Sequence, residues 1–132
     1  KVYPGRIEET LKTKYWIKQI VVVGEGGRFL PALVVPDFGD LRMRARDEGI
    51  EEYTCYDAEL LHHDAAQALF QDVFTAYNRD AAAHEKIRNF RLLGEPFTVE
   101  EGTLTPTLKL RRSVIRERHA DLIDEMYEEF GR

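Results

Sequence analysis

Among its 132 residues the sequence holds one cysteine, Cys55, one tryptophan and two methionines. A single thiol excludes an internal disulfide and suggests a reducing compartment. No metal or nucleophile motif surrounds Cys55, so it reads as an inert, partly buried thiol. Apolar runs are short, none approaching the roughly 18 residues needed to cross a bilayer, and no signal peptide is visible. The chain opens at Lys1-Val2-Tyr3-Pro4 without an initiator Met, which suggests a preceding segment. A basic excess is missing too: the formal net charge is −5, so the whole surface does not advertise nucleic acid or an anionic membrane. His62, His63, His84 and His119 include no i, i+4 pair with a carboxylate between, so no metal site is expected. Gly24-Glu25-Gly26-Gly27 lacks a GK[ST] ending and leads into a strand, which makes it a hairpin turn rather than a phosphate-binding loop. Internal repeats and low-complexity linkers are absent.

What is present is ordinary for a folded domain: 43% hydrophobic and 33% charged residues. That length and composition point to a single soluble domain with a modest core. The patterning is mixed. Pro4 suits the first turn of a short helix over 4–13, with Ile7 and Leu11 on one face. Trp16 to Val23 is a strand rich in β-branched residues, and Phe29 to Val35 is its returning partner, stopped by Pro36. A polar helix over 38–48 ends at Gly49. Asp57 is expected to cap a long helix to about Tyr77, with Leu61, Ala65, Leu69, Val73 and Tyr77 as its inner stripe. A helical turn at 80–88 leads to a third strand, 89–93. One last helix runs over 111–130, with Ile115, Leu122, Ile123, Met126, Tyr127 and Phe130 apolar at helical spacing. The fold class is α+β: a small three-stranded sheet with helices packed around it. Trp16, Ile20, Val22, Leu33 and Val35 are expected to be buried, because strands covered on both faces read as near-continuous apolar runs.

The charges near the end of the chain are arranged oddly for one helix. Lys109, Arg111, Arg112, Arg116 and Arg118 crowd its start, whereas Asp121, Asp124, Glu125, Glu128 and Glu129 crowd its end. Both groups oppose the helix macrodipole, at a cost of a few tenths to roughly 1 kcal/mol per site. A solvated helix start, an anionic partner and docking against another domain all fit that pattern. Immediately before it stands EEGTLTPTLKL, a glycine turn followed by a stiff Thr-Pro-Thr approach to one lysine.

Three segments together carry a resemblance: KVYPGRIEETL at the start, IKQIVVVGEGGRFLPALVVPD through the strand pair, and TLTPTLKLRRSVI near the end. The chain resembles the C-terminal domain of the adenylate-forming enzymes, and within them the long-chain fatty acyl-CoA synthetases. VYPGRIEE is similar to the segment after the family's hinge, and LTPTLKLRR to its last core motif, whose lysine falls on Lys109.

The resemblance implies a mobile lid belonging to a larger enzyme. Such enzymes activate a fatty acid with MgATP to an acyl-adenylate and then transfer the acyl group to CoA. The lid offers a different face to each half-reaction. No phosphate loop or acyl-lining segment is present here, so ATP, Mg2+ and CoA are expected as substrates of the full-length protein, with none bound by this domain alone. The implied partners are its own N-terminal domain, fatty acid, ATP and CoA, with no nucleic acid and no transmembrane segment. Lys109 is the implied adenylation lysine, positioned by Gly102, Thr105, Pro106 and Thr107. Lys1, Arg111 and Arg112 are carried over as nucleotide or CoA contacts, although Arg111 and Arg112 fit solvated charge equally well. An adenylating enzyme that loads a carrier protein is a second reading, and a non-catalytic binding module a third. The implied location is cytoplasmic, with peripheral membrane contact left open.

Overall fold

A computed structural model describes residues 2–13, 16–24, 29–49 and 56–130. Pro4 opens the first helix, α1 (Pro4–Leu11), which buries Ile7, Glu8 and Leu11. Two apolar strands follow, β1 (Ile17–Val22) and β2 (Leu30–Pro36), paired antiparallel with Val21 opposite Leu33. Beyond Gly24, the expected turn lies outside the described residues, as do Lys1 and Cys55. Asp37 caps α2 (Phe38–Asp47) by accepting the Asp40 N–H at 3.1 Å, and Gly49, at φ +78°, stands just past its end. After α3 (Asp57–Leu60), α4 (Asp64–Asp80) and a 3-10 turn at Ala83–Glu85, β3 (Ile87–Leu92) lies parallel to β2. The chain then closes with α5 (Arg112–Arg118) and α6 (Ala120–Glu128). The sheet order is β1-β2-β3.

Side chains alternate across a strand, and here both faces are covered. Ile20, Val22, Ala32 and Val34 join Ile7, Leu11, Leu41, Phe70 and Phe74 on the face covered by the first four helices. Val21, Val23, Leu33 and Val35 join Ile115, Ile123, Met126 and Tyr127 on the other. The result is three layers, with β2 in the centre and every residue of it buried. Trp16, Ile20, Val22, Leu33 and Val35 are all buried, as expected. Among the described residues no helix is long and apolar enough to cross a membrane.

Three expected elements differ. The long helix from Asp57 is two helices, because His63 is extended and its Nδ1 accepts the Ala65 N–H at 3.1 Å, capping α4 itself. Asp57 is therefore not an N-cap; it lies inside α3 and pairs with Arg42 at 2.5 Å. The buried stripe of α4 is Ala66, Leu69, Phe70, Val73 and Phe74, with Tyr77 half-buried. Of the expected stripe Leu61, Leu69 and Val73 are buried, whereas Ala65 is only half-buried and Ala66, Phe70 and Phe74 complete the core face, because a strict four-residue row drifts across the face of a 3.6-residue helix. The turn expected at 80–88 shortens to Ala83–Glu85, because α4 runs through Asp80 and β3 begins at Ile87.

The last helix is also divided. His119, at φ −110° and ψ 23°, separates α5 from α6. That break resolves the conflict with the macrodipole at the junction, while Arg112 at the start of α5 and Glu125 and Glu128 at the end of α6 still oppose it. Arg116 and Arg118 become cations in the last turn of α5, and Asp121 an acid in the first turn of α6, both favourable placements. Asn89 and Arg91 of β3 hold α6 from the other side. Asn89 Nδ2 donates to Met126 O at 3.0 Å, and Arg91 pairs with both Glu125 and Glu129. Hydrogen bonds from Asn89 and Arg91 lower the Glu129 pKa.

Candidate functional site

Between β3 and α5 the chain makes two nested turns, and their hydrogen bonds explain how a polar loop holds a shape. Gln19 of β1 forms a reciprocal amide pair with Phe97: the Phe97 N–H donates to Oε1 at 2.8 Å, and Nε2 donates to Phe97 O at 2.9 Å. The next turn closes on Thr98, whose carbonyl accepts the N–H groups of Thr103 and Leu104, both at 3.0 Å. Buried Thr103 adds its hydroxyl, accepting the Thr98 N–H at 2.7 Å. Gly102 sits within this turn at φ +79°, a region where a side chain costs energy and glycine does not. The Arg111 guanidinium lies over it, 3.6 Å from where a β-carbon would stand.

The second turn carries the lysine. Leu104 and Leu110 form an isolated antiparallel bridge, and within it Thr105 N–H donates to Lys109 O at 2.8 Å. Leu108 N–H returns to Thr105 O at 2.8 Å, so Thr105-Pro106-Thr107-Leu108 is a four-residue turn with proline at its second position, where its fixed φ fits best. The Lys109 N–H donates to Thr105 Oγ1 at 3.0 Å, and that oxygen lies 3.2 Å from Thr107 Oγ1. Leu108 has φ +66°, an uncommon conformation for a residue other than glycine. Its side chain is 69% exposed. The loop thus fixes the Lys109 backbone at both its amide and its carbonyl, while the side chain is exposed and makes no ion pair or hydrogen bond with the described residues.

Gly102, Thr105, Pro106, Thr107 and Lys109 therefore belong to one hydrogen-bonded unit, and Arg111 flanks it. Arg112 has a different environment. Its two terminal nitrogens donate to Glu8 Oε1 and Oε2 at 2.5 and 2.7 Å. These hydrogen bonds raise the Arg112 pKa against the opposing effect of burial. Arg118 ties the far end of α5 to the first turn, donating to Glu101 O at 2.9 Å. Glu8 and Gln19 are the residues that sequence reasoning missed. Their signal was polarity at inward positions, since Glu8 shares the buried face of α1 with Ile7 and Leu11, and Gln19 interrupts an apolar strand.

His119 lies beneath the first turn, edge-on to Phe97 with ring centres 6.3 Å apart. Burial lowers its pKa, and Arg118 lowers it further. The folded state therefore disfavours protonated His119, while the unfolded chain takes up a proton near pH 6.5. Stability from this group is complete above pH 6.5 and is lost as pH falls from there through the lower folded value. Urea midpoints measured across that window should drop in the parent and drop less in His119→Asn. Equal slopes would remove His119 as the cause.

The family model for the AMP-binding enzyme C-terminal domain matches residues 1–131. The chain is 32% identical over 129 residues to long-chain-fatty-acid–CoA ligase 1 of Cavia porcellus, covering 96% of this chain and 18% of that protein. It is 33% identical over 131 residues to a long-chain-fatty-acid–CoA ligase of Mycobacterium tuberculosis, covering 96% of this chain and 21% of that one. The chain thus spans about a fifth of the length of these relatives. Among solved structures, the adenylation domain of the carboxylate reductase from Mycobacterium chelonae superposes with a TM-score of 0.74 at 26% identity, covering 96% of this chain and 18% of that domain.

Proposed function

The chain belongs to the AMP-binding enzyme C-terminal domain family, and from that premise we propose that it is the lid of an AMP-forming long-chain fatty acid–CoA ligase. In the reaction proposed, a fatty-acid carboxylate oxygen attacks the α-phosphorus of MgATP, and the bond to pyrophosphate breaks. The CoA sulfur then attacks the acyl carbon, and AMP leaves. This domain supplies Lys109 to the first step and reorients for the second. Attack by one anion on another is opposed by charge repulsion, and a placed ammonium lowers that barrier. Lysine suits the task as a compact charge on a flexible stem.

The observation that carries this reading is the Lys109 loop itself. It holds the backbone rigidly and leaves the ammonium without a partner among the described residues, at the position to which the resemblance of LTPTLKLRR assigns the adenylation lysine. Arg111, exposed and equally unpaired among the described residues, is the better candidate for a phosphate or inter-domain contact. Arg112 is engaged by Glu8, which favours an architectural role. Lys1 keeps its proposed place near nucleotide or CoA. A cytoplasmic location accords with the single cysteine.

The test is fatty-acid-dependent ATP–pyrophosphate exchange by the full-length protein, across a panel of acyl chain lengths. Exchange with long-chain acids, followed by thioester formation on CoA, is the expected result, while purified residues 1–132 should show neither activity. The likeness to a long-chain-fatty-acid–[acyl-carrier-protein] ligase of Arabidopsis thaliana, 26% identical over 126 residues, makes a carrier protein's thiol the acceptor to compare with CoA. Turnover by the isolated domain would overturn the lid reading, and absence of exchange in the full-length protein would favour a binding module.

A further inference from the structure

β1 lies at the edge of the sheet, so alternate amides on its outer side have no strand to bond. Val23 N–H reaches Pro31 O across the β1–β2 ladder at 2.9 Å, which turns the Val22 N–H outward. Glu8 Oε2 accepts it at 2.8 Å, and the same carboxylate grips Arg112 through both nitrogens. Glu8 is only 5% exposed. Burying a carboxylate is costly even when it is paired, and an apolar residue would usually serve stability as well or better. A purpose beyond stability therefore has to be sought in what the carboxylate joins. It joins α1, the free edge of β1 and the first residue of α5, and Arg112 stands three positions after Lys109.

The leading end of the lysine loop is fixed separately. Gln19, on the same strand, holds Phe97. The loop between these two attachments has little packing at its tip, where Pro106, Thr107, Leu108 and Lys109 are all exposed. The place from which the Lys109 side chain starts is consequently set by the two attachments to β1, the hydrogen bonds between them and the buried Thr103 and Leu104. Catalytic groups must be held within about 0.5 Å of their productive geometry, so slack at either attachment should be felt in the rate.

We propose that Glu8 is a positioning residue for adenylation, acting through Arg112 to hold the trailing end of the Lys109 loop against β1. The inference rests on the adenylation role proposed above. Glutamine at position 8 keeps the size of the side chain but offers one acceptor where the carboxylate offers two. The two legs of the Arg112 fork end on different oxygens, so glutamine must give up one leg in either orientation, and the Val22 N–H as well when its amide nitrogen takes the Oε2 place. Arg112→Lys keeps the charge but replaces the fork by a point contact.

The experiment uses the full-length enzyme and follows two single-turnover reactions: adenylate formation from fatty acid and ATP, and thioester formation from supplied acyl-adenylate. Glu8→Gln and Arg112→Lys are measured in the parent and in the Lys109→Ala background. In the parent, each variant should slow adenylation by about 10- to 100-fold, the scale of a displacement on the order of 1 Å, and leave thioester formation unchanged. In the Lys109→Ala background neither should slow adenylation further, because residues acting as a unit are not additive. Equal losses in both reactions, or a full further loss without Lys109, would overturn the positioning role. Unchanged adenylation in both variants, where Lys109→Ala alone is slow, would overturn this inference and leave the lysine's role intact. Unchanged adenylation in Lys109→Ala itself would overturn both. Should Glu8→Gln fail to fold, Arg112→Lys carries the same comparison.

Discussion

Leu33→Ala should lower the free energy of unfolding by roughly 2–5 kcal/mol, read as a fall in denaturant midpoint at unchanged slope. Leu33 has no exposed surface and lies in the middle of the central strand, opposite Val21 on one side and Arg91 on the other. Its side chain belongs to the cluster containing Val21, Val35, Ile115, Ile123 and Met126. Truncation removes the transfer free energy of the lost methyl groups and leaves a cavity that strands on both sides keep from collapsing. Leu108→Ala makes the same chemical change at a side chain 69% exposed, and should stay within about 0.5 kcal/mol of the parent. A similarly small effect at Leu33 would mean that β2 is not the centre of the core.

Leu33 was legible because central strands have no polar side to hide. LPALVVP reads as one apolar run, and the structure buries all of it. The helix breaks were less legible for a matching reason. His62-His63 and His119 lie inside patterns that remain apolar at helical spacing on both sides, so periodicity carries the eye across them. The break at His63 depends on one ring nitrogen accepting the Ala65 N–H, and histidine is a weak sequence signal for a cap beside Asp, Asn, Ser or Thr. At His119 the charges gave a signal that was available but ambiguous. Part of the unfavourable dipole pattern over 111–130 was the mark of two helices, since Arg116 and Arg118 close α5 and Asp121 opens α6, while Arg112 and the closing glutamates still oppose theirs.

The candidate site divides in the same way. Glycine, proline and threonine are local signals, and the turns they predicted around Lys109 are present, closed by Thr98, Thr103 and Thr105. What holds those turns to the sheet is non-local. Gln19 meets Phe97 from 78 positions away, and Glu8 meets Arg112 from 104. No periodicity or motif encodes such pairs. A buried carboxylate on α1 and an amide within β1 could be flagged as polar residues in need of partners, but their partners could not be named without the fold. Arg112 shows the converse: its place in a basic run suggested a ligand, and the fold supplied Glu8.

Lys109→Ala in the full-length enzyme should slow acyl-adenylate formation by about 10²–10³, or roughly 2.7–4 kcal/mol, the cost of losing one preorganised donor from a site of developing charge. Stability should not change beyond about 0.5 kcal/mol, because what the loop uses of Lys109 is its backbone: the amide on Thr105 Oγ1 and the carbonyl on Thr105 N–H. Alanine preserves both. Any loss of rate would therefore come from the missing ammonium rather than from a collapsed loop. Thioester formation from supplied acyl-adenylate should continue at the parent rate if the lid has reoriented and carries Lys109 away from the nucleotide. Lys109→Arg should rescue poorly, since a planar fork on a different stem cannot occupy the place of a point charge even though the charge is kept. The comparison that decides is single-turnover adenylation against thioester formation in parent, Lys109→Ala and Lys109→Arg. Equal loss in both steps would assign Lys109 to a binding surface shared by the two orientations. No loss in either would make it an ordinary surface lysine, and the rigid loop beneath it would need another explanation.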